Sequence, residues 1–138
     1  MQEGKNTVAK EYDAEIKKMF GDYLKAKSRI KMIDLNVAWG ENKPEQQEEK
    51  KRLLCFIDTV DTMLEQLTPL QKQLVEYYYI YQESLYDISE IVHFSYYHCS
   101  NTKNEAVDRL VEIFNSTEFD SIVGKSFNKI YDDLEKAQ

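Results

Sequence analysis

The sequence predicts an all-α fold, and three observations lead to that prediction. Apolar residues recur at alternating spacings of three and four along most of the chain, which is the period of a buried helical face. Gly and Pro are rare, at four and two of 138 residues, which argues against an all-β or a disordered chain. Polar residues that suit helix N-caps stand before several of the apolar stretches.

Composition and charge limit the classes of protein that are possible. An apolar fraction of 42% is enough for a real core, and no apolar run approaches the roughly 18 residues of a membrane span. No membrane partner is therefore expected. Two cysteines without metal-ligand spacing suit a reduced, cytoplasmic setting. A formal net charge of −7 works against general attraction to nucleic acid.

The first predicted helix carries one apolar stripe with the spacing of a coiled-coil seam. It should end near Asn36, because the sequence WGENKP follows with Gly, Asn and Pro close together. The opposite side of the helix is rich in lysine. The stripe consists of Ile16, Met19, Tyr23, Ala26, Ile30, Ile33 and Val37.

A second helix should begin at Glu45, after Pro44. Two such helices joined by a short loop would form an antiparallel hairpin or a dimer interface, and the usual helix-bundle pattern favours the intramolecular core. Residues 1–66 are thus expected to form a helical hairpin for packing or dimerisation. The second stripe consists of Leu53, Ile57, Val60, Leu64 and Leu67.

A third helix should begin after Thr68, which suits an N-cap, with Pro69 in its first turn. The segment EYYYIYQ has strand propensity by itself, but the cap and the spacing of Leu70, Leu74 and Tyr78 predict a helix.

Two further helices are predicted on either side of a short turn. Ser84 should cap the first of them, Leu85 to Val92. In the turn that follows, Phe94 is expected to fill the core and Ser95 to cap the next helix. That helix should run from Tyr96 to about Phe114 and bury Cys99, Ala106, Leu110 and Ile113.

The sequence NSTEFD should end that helix, and a last helix is predicted after Thr117, with Gly124 marking a close crossing. Residues 115–138 would then form a C-terminal helix that caps the core. Its inward residues would be Phe119, Val123, Phe127, Ile130 and Leu134.

From Leu67 to Leu110 the chain resembles the region-4 helix-turn-helix of sigma-70 factors, and more closely the small phage and prophage regulators of the ArpU/RinA type. LTPLQKQLVEYYYI is similar to the opening helix, LYDISEIVHFS to the first helix and turn of the motif, and YYHCSNTKNEAVDRL to the recognition helix. DYLKAKSRIKMIDLNV is similar to the N-terminal helix of those regulators. Residues 67–114 would then be a DNA-binding domain.

The resemblance implies a phage-type transcription regulator in the bacterial cytoplasm that binds double-stranded DNA, with RNA polymerase as a further candidate partner. The start of the recognition helix would meet the major groove, with the Ser95 cap near the phosphates. Lys103 and the basic run from Lys17 to Lys31 would lie on phosphates, although such a run is usually only the solvated side of a helix. The expected DNA-binding residues are Ser95, Tyr96, Tyr97, His98, Ser100, Asn101, Lys103 and Asn104.

This chain departs from the sigma-factor pattern in its charge, because residues 84–114 hold five acids against two fixed cations. A DNA-binding protein with so few cations would gain affinity by binding two half-sites as a pair. We therefore expect a homodimer, formed through the apolar stripes or the last helix. The alternative is an acidic protein-binding module. Such a module would dock on RNA polymerase, or would act on a host defence nuclease as an inhibitor or DNA mimic.

No pattern predicts an enzyme, a cofactor or a metal. The sequence has no Gly-rich phosphate loop and no nucleophile motif. His98 and Cys99 are adjacent on a helix and point in different directions, so a zinc site with Cys55 or His93 is not expected. The two cysteines are expected to be small buried side chains.

Overall fold

Helices account for all regular structure in the part of the chain that the computed structural model describes, which is residues 2–114, with side chains for residues 13–113. The all-α prediction is confirmed. The predicted helix after Thr117 lies outside the described residues. The elements are α1 (Gln2–Ala38), α2 (Pro44–Glu65), α3 (Pro69–Val75), a π-helical turn (Glu76–Ile80), α4 (Leu85–Val92) and α5 (Tyr96–Phe114).

The described chain divides into two compact units whose bounds differ from the predicted domains. One unit consists of residues 22–62, and the other joins residues 2–21 to residues 63–114. Helix α1 contributes to both because its 37 residues extend about 55 Å at 1.5 Å per residue. The sequence pattern predicts instead that all of α1 belongs to the first domain, residues 1–66.

The unit of residues 22–62, hereafter the hairpin unit, buries within one chain most of the apolar stripe residues that fall inside it. Arg29 is bound to Glu49 through two hydrogen bonds of 2.9 Å, and the Tyr23 hydroxyl donates to Asp61 at 2.6 Å. Val37, at the end of the predicted stripe, is exposed. The stripe serves as intramolecular core here, so a dimer of this chain would need another surface. The buried stripe residues of this unit are Tyr23, Ala26, Ile33, Leu53, Ile57 and Val60.

The second unit, hereafter the C-terminal unit, contains a buried cluster to which three helices contribute one residue each. Leu74 of α3, Ile88 of α4 and Cys99 of α5 are buried together. Their partly buried neighbours shield this cluster from solvent, so α3, α4 and α5 form one packed group. Those neighbours are Leu70, Tyr77, Tyr78, Leu85 and Val92.

The predicted caps of α3 and α4 are confirmed by backbone hydrogen bonds. Thr68 and Gln71 form a reciprocal capping box, with both hydrogen bonds at 3.2 Å. The backbone N–H of Asp87 donates to the Ser84 hydroxyl at 3.1 Å. These bonds satisfy N–H groups that the first turn of a helix leaves without partners.

The tyrosine segment is helical, as predicted, but takes a π-helical form. The N–H of Tyr81 donates to the carbonyl of Glu76, five residues earlier, at 2.9 Å. Tyr79 is buried by this turn, and its ring stacks on Phe20 with centroids 5.5 Å apart. The periodicity of the sequence could not distinguish this turn from an α-helix, because one wider turn leaves the apolar spacing nearly unchanged.

Candidate nucleic-acid interface

The connection between α4 and α5 is three residues long, and its backbone fixes where α5 begins. His93 ends α4 in the left-handed region, with φ 61° and ψ 36°. The Ser95 hydroxyl accepts a hydrogen bond from the N–H of His98 at 3.0 Å, and the Ser95 carbonyl accepts one from Cys99 at 3.0 Å. The predicted Ser95 cap is therefore confirmed, and α5 starts at Tyr96.

Phe94, predicted to fill the core, instead lies at the surface. Its side chain is 46% exposed, and its ring packs edge-on against His98 with centroids 4.8 Å apart. The prediction was wrong because Ile88 and Cys99, both almost fully buried, already occupy the space between α4 and α5. The turn thus presents an aromatic pair beside the start of α5.

The first two turns of α5 place three predicted DNA-binding residues on one face. Tyr97, Asn101 and Asn104 are spaced four and three apart and therefore lie on the same side of the helix. Tyr97 is 65% exposed, whereas Asn101 and Asn104 are half-buried. We call these three residues the reading face.

The other predicted residues border this face or lie away from it. Ser95 and His98 are exposed, Tyr96 is 54% exposed and Ser100 is half-buried. Tyr96 and Ser100 are four residues apart and share a second side of α5. The reading face and its border therefore carry hydroxyl, amide and imidazole groups, which can both donate and accept hydrogen bonds.

Lys103 does not lie with the reading face. It is half-buried, and its ammonium is 4.9 Å from the centre of the Tyr78 ring. Burial lowers the pKa of Lys103, nearby Lys17 lowers it further, and nearby Asp13 opposes both effects. This lysine is engaged inside the C-terminal unit, so contact with a phosphate would require it to leave the tyrosine ring.

Acidic groups surround the interface, and fixed cations are scarce. Residues 73–102 contain four carboxylates and no Lys or Arg. On α5 itself the first carboxylate is Glu105, which is four residues after Asn101 and therefore lies one turn beyond it on the same side of the helix. Arg109 pairs with Glu112 at 3.2 Å. Any attraction to phosphate must therefore come from elsewhere in the chain.

The basic run on α1 is largely used within the chain. Lys17 pairs with Asp13 at 3.1 Å, and the ammonium of Lys27 lies 4.4 Å from the centre of the Tyr23 ring. Arg29 is held by Glu49, which raises the pKa of the guanidinium. All five lysines of this stretch are exposed, including Lys25 and Lys31.

One polar network was not predicted from the sequence. The hydroxyl of Tyr79 donates to Asp13 at 2.9 Å, and Asp13 also binds Lys17. Burial, with a smaller contribution from Asp13, raises the pKa of Tyr79 far above its ordinary value. Asp13 and Tyr79 are 66 residues apart, and no local pattern relates them. The network ties the first half of α1 to the π-helical turn that precedes α4.

The described residues offer no evident place for a metal or a membrane span. Among them, no three His, Cys, Asp or Glu side chains lie close enough to share a metal ion. Cys99 is buried, and burial raises the pKa of its thiol, while Cys55 is half-buried. No helix in this part of the chain is both long and apolar enough to cross a bilayer.

Comparison with known proteins identifies no relative, because no family model matches the chain and no curated protein or solved structure is significantly similar to it. The resemblance to sigma region 4 and to the phage regulators therefore stays a prediction from the sequence.

Proposed function

We propose that this protein is a transcription regulator of the phage type that reads double-stranded DNA with the first two turns of α5. The observation that carries the proposal is the reading face, Tyr97, Asn101 and Asn104, which precedes the first carboxylate of the helix. Asn can bind the edge of an adenine through two hydrogen bonds in the major groove. Tyr can donate to a phosphate or pack against a thymine methyl group.

The local architecture supports this proposal. An eight-residue helix, a three-residue turn and a longer second helix are the parts of a helix-turn-helix. The cluster of Leu74, Ile88 and Cys99 holds α5 against α3 and α4, and the reading face lies on the opposite side of α5. The start of α5, which Ser95 caps, corresponds to the end of a recognition helix that contacts bases.

Replacing Asn101 with Ala tests the role of the reading face. We expect affinity for a selected duplex to fall roughly 5- to 150-fold, since a good bidentate base contact is worth about 1–3 kcal/mol. The preference for the contacted base pair should also relax. Fluorescence anisotropy with a labelled duplex at fixed low salt measures both effects.

The matched control is Glu112→Gln, which changes an exposed residue of the same helix beyond the reading face. This variant should bind as tightly as the unmodified protein or slightly more tightly, because one negative charge is lost. Equal affinities for the Asn101→Ala variant and the unmodified protein would contradict base reading by α5.

A protein-binding module is the second candidate, and a specific observation favours it. The cation-free stretch of residues 73–102 also exposes large side chains on α4 and at its turn, among them Tyr86, Ile91 and Phe94. Acidic groups beside exposed aromatic residues are better suited to a basic protein surface than to phosphates. A folded protein that retains no duplex at low salt would support this candidate.

A further inference from the structure

Large apolar side chains exposed to solvent fall into two groups within the described residues. The first group belongs to the hairpin unit and the second to the segment around α4 and the start of α5. The first group is Met32, Leu35, Val37, Trp39 and Leu54, and the second is Tyr81, Tyr86, Ile91, Phe94, Tyr96 and Tyr97. Isolated exposed apolar residues are ordinary, but grouped ones mark contact surfaces.

The first surface, which we call the basic face, lies on the solvent side of α1. Met32 and Leu35 are each 53% exposed, and Trp39 just beyond the helix is 84% exposed. Their spacings of three and four place them on one side of the helix, away from the buried stripe. Lys25 and Lys31 flank them and are also exposed.

The net charge of the basic face is positive. Residues 23–38 contain four cations and a single acid, Asp34. That acid is bound by Lys50 at 2.6 Å, so its charge is compensated locally. Two copies of the basic face would repel one another.

The second surface, which we call the acidic face, is the solvent side of α4. Tyr86, Asp87, Glu90 and Ile91 are all exposed there. The nearest Lys or Arg in sequence are Lys72 and Lys103, and Lys103 lies over Tyr78. Two copies of the acidic face would also repel one another.

We infer that the acidic face of one copy binds the basic face of a second copy of this chain. Each face pairs apolar side chains with charges of one sign, and the two signs are opposite, so the faces complement each other. Such complementarity fixes which surfaces meet and disfavours pairing of like faces. The contact uses neither the buried stripes nor the reading face of α5, and it does not depend on DNA binding.

Sedimentation of the full chain without DNA tests this inference. At 50 mM salt and tens of micromolar protein we expect a dimer of the 16.3 kDa chain, with longer head-to-tail assemblies at higher concentration because each dimer leaves one acidic and one basic face unoccupied. The dissociation constant should rise at least about tenfold at 500 mM salt, because exposed charges are then screened. The inference would be overturned if the protein sedimented with the mass of one chain at 50 mM salt at all protein concentrations up to several hundred micromolar.

A charge swap identifies the surfaces. Reversing the acidic face with Asp87→Lys and Glu90→Lys should weaken the dimer at least about tenfold, and so should reversing the basic face with Lys25→Glu and Lys31→Glu. All four changes in one chain restore opposite charges on the two faces. The dissociation constant of the dimer should then return to within about threefold of the value for the unmodified protein. No recovery in a folded four-residue variant would overturn the pairing.

Two further variants distinguish a loss of the contact between copies from a loss of folding. Trp39→Ser should weaken the dimer without lowering thermal stability, because Trp39 is exposed in the single chain. Lys51→Glu reverses an exposed lysine of α2 outside the basic face and should leave the dimer intact. A single-chain mass combined with binding of the basic face to anionic lipid vesicles would overturn the inference and assign that face to a membrane surface.

Discussion

Single residues show most clearly where this fold depends on contacts that the sequence does not reveal. Tyr79 is buried, stacks on Phe20 and donates its hydroxyl to Asp13. The helical pattern predicted that the tyrosine segment would be helical, but not which tyrosine would be buried. That choice depends on a residue 66 positions away, and the sequence alone gives no signal for it.

Replacing Tyr79 with Phe should lower the free energy of unfolding by about 1–2 kcal/mol. The ring remains, but the partly buried carboxylate of Asp13 loses a donor, and hydrogen bonds to charged groups are worth roughly 1.5–3 kcal/mol. Urea unfolding followed by circular dichroism measures the change. Tyr81→Phe is the matched control, because Tyr81 is exposed, and equal losses in the two variants would contradict the role given to Asp13.

At the scale of elements, caps and breaks were predictable and irregular backbone was not. Thr68, Ser84 and Ser95 have short polar side chains in front of apolar periodic segments, and all three accept the expected backbone hydrogen bond. The turn after α4 was also placed correctly. The exposure of Phe94 was missed, because its position relative to the core depends on how tightly α4 and α5 pack.

His93 gives a test at this scale, because it ends α4 with a positive φ of 61°. His93→Gly should be neutral or stabilising by up to about 1 kcal/mol, since Gly takes this conformation without strain. His93→Val should destabilise by more than about 1 kcal/mol, because a β-branched residue is strongly disfavoured there.

Thermal or urea unfolding compares the two variants. His98→Val is the control for the change of side chain, because His98 is exposed and lies in a right-handed helix. If His93→Val and His98→Val lower the stability equally, the turn does not require a residue that readily takes the left-handed conformation.

At the scale of the whole molecule, the charge pattern decides what the protein can bind. The sequence correctly gives a net charge of −7 and a basic run on α1, but not how that run is used. Pairs such as Arg29 with Glu49 and the contact of Lys27 with Tyr23 engage much of it within the chain. A regulator with so few available cations would depend on base contacts and on a second copy of itself rather than on general attraction to phosphate.

The most direct test of DNA reading is selection of duplexes from a random library by the purified protein at low salt. The proposal predicts enrichment of a motif with two half-sites, which is lost when Tyr97 and Asn101 are both changed to Ala. A folded protein that enriches no sequence would contradict it, and would leave protein contact as the function of α4 and α5.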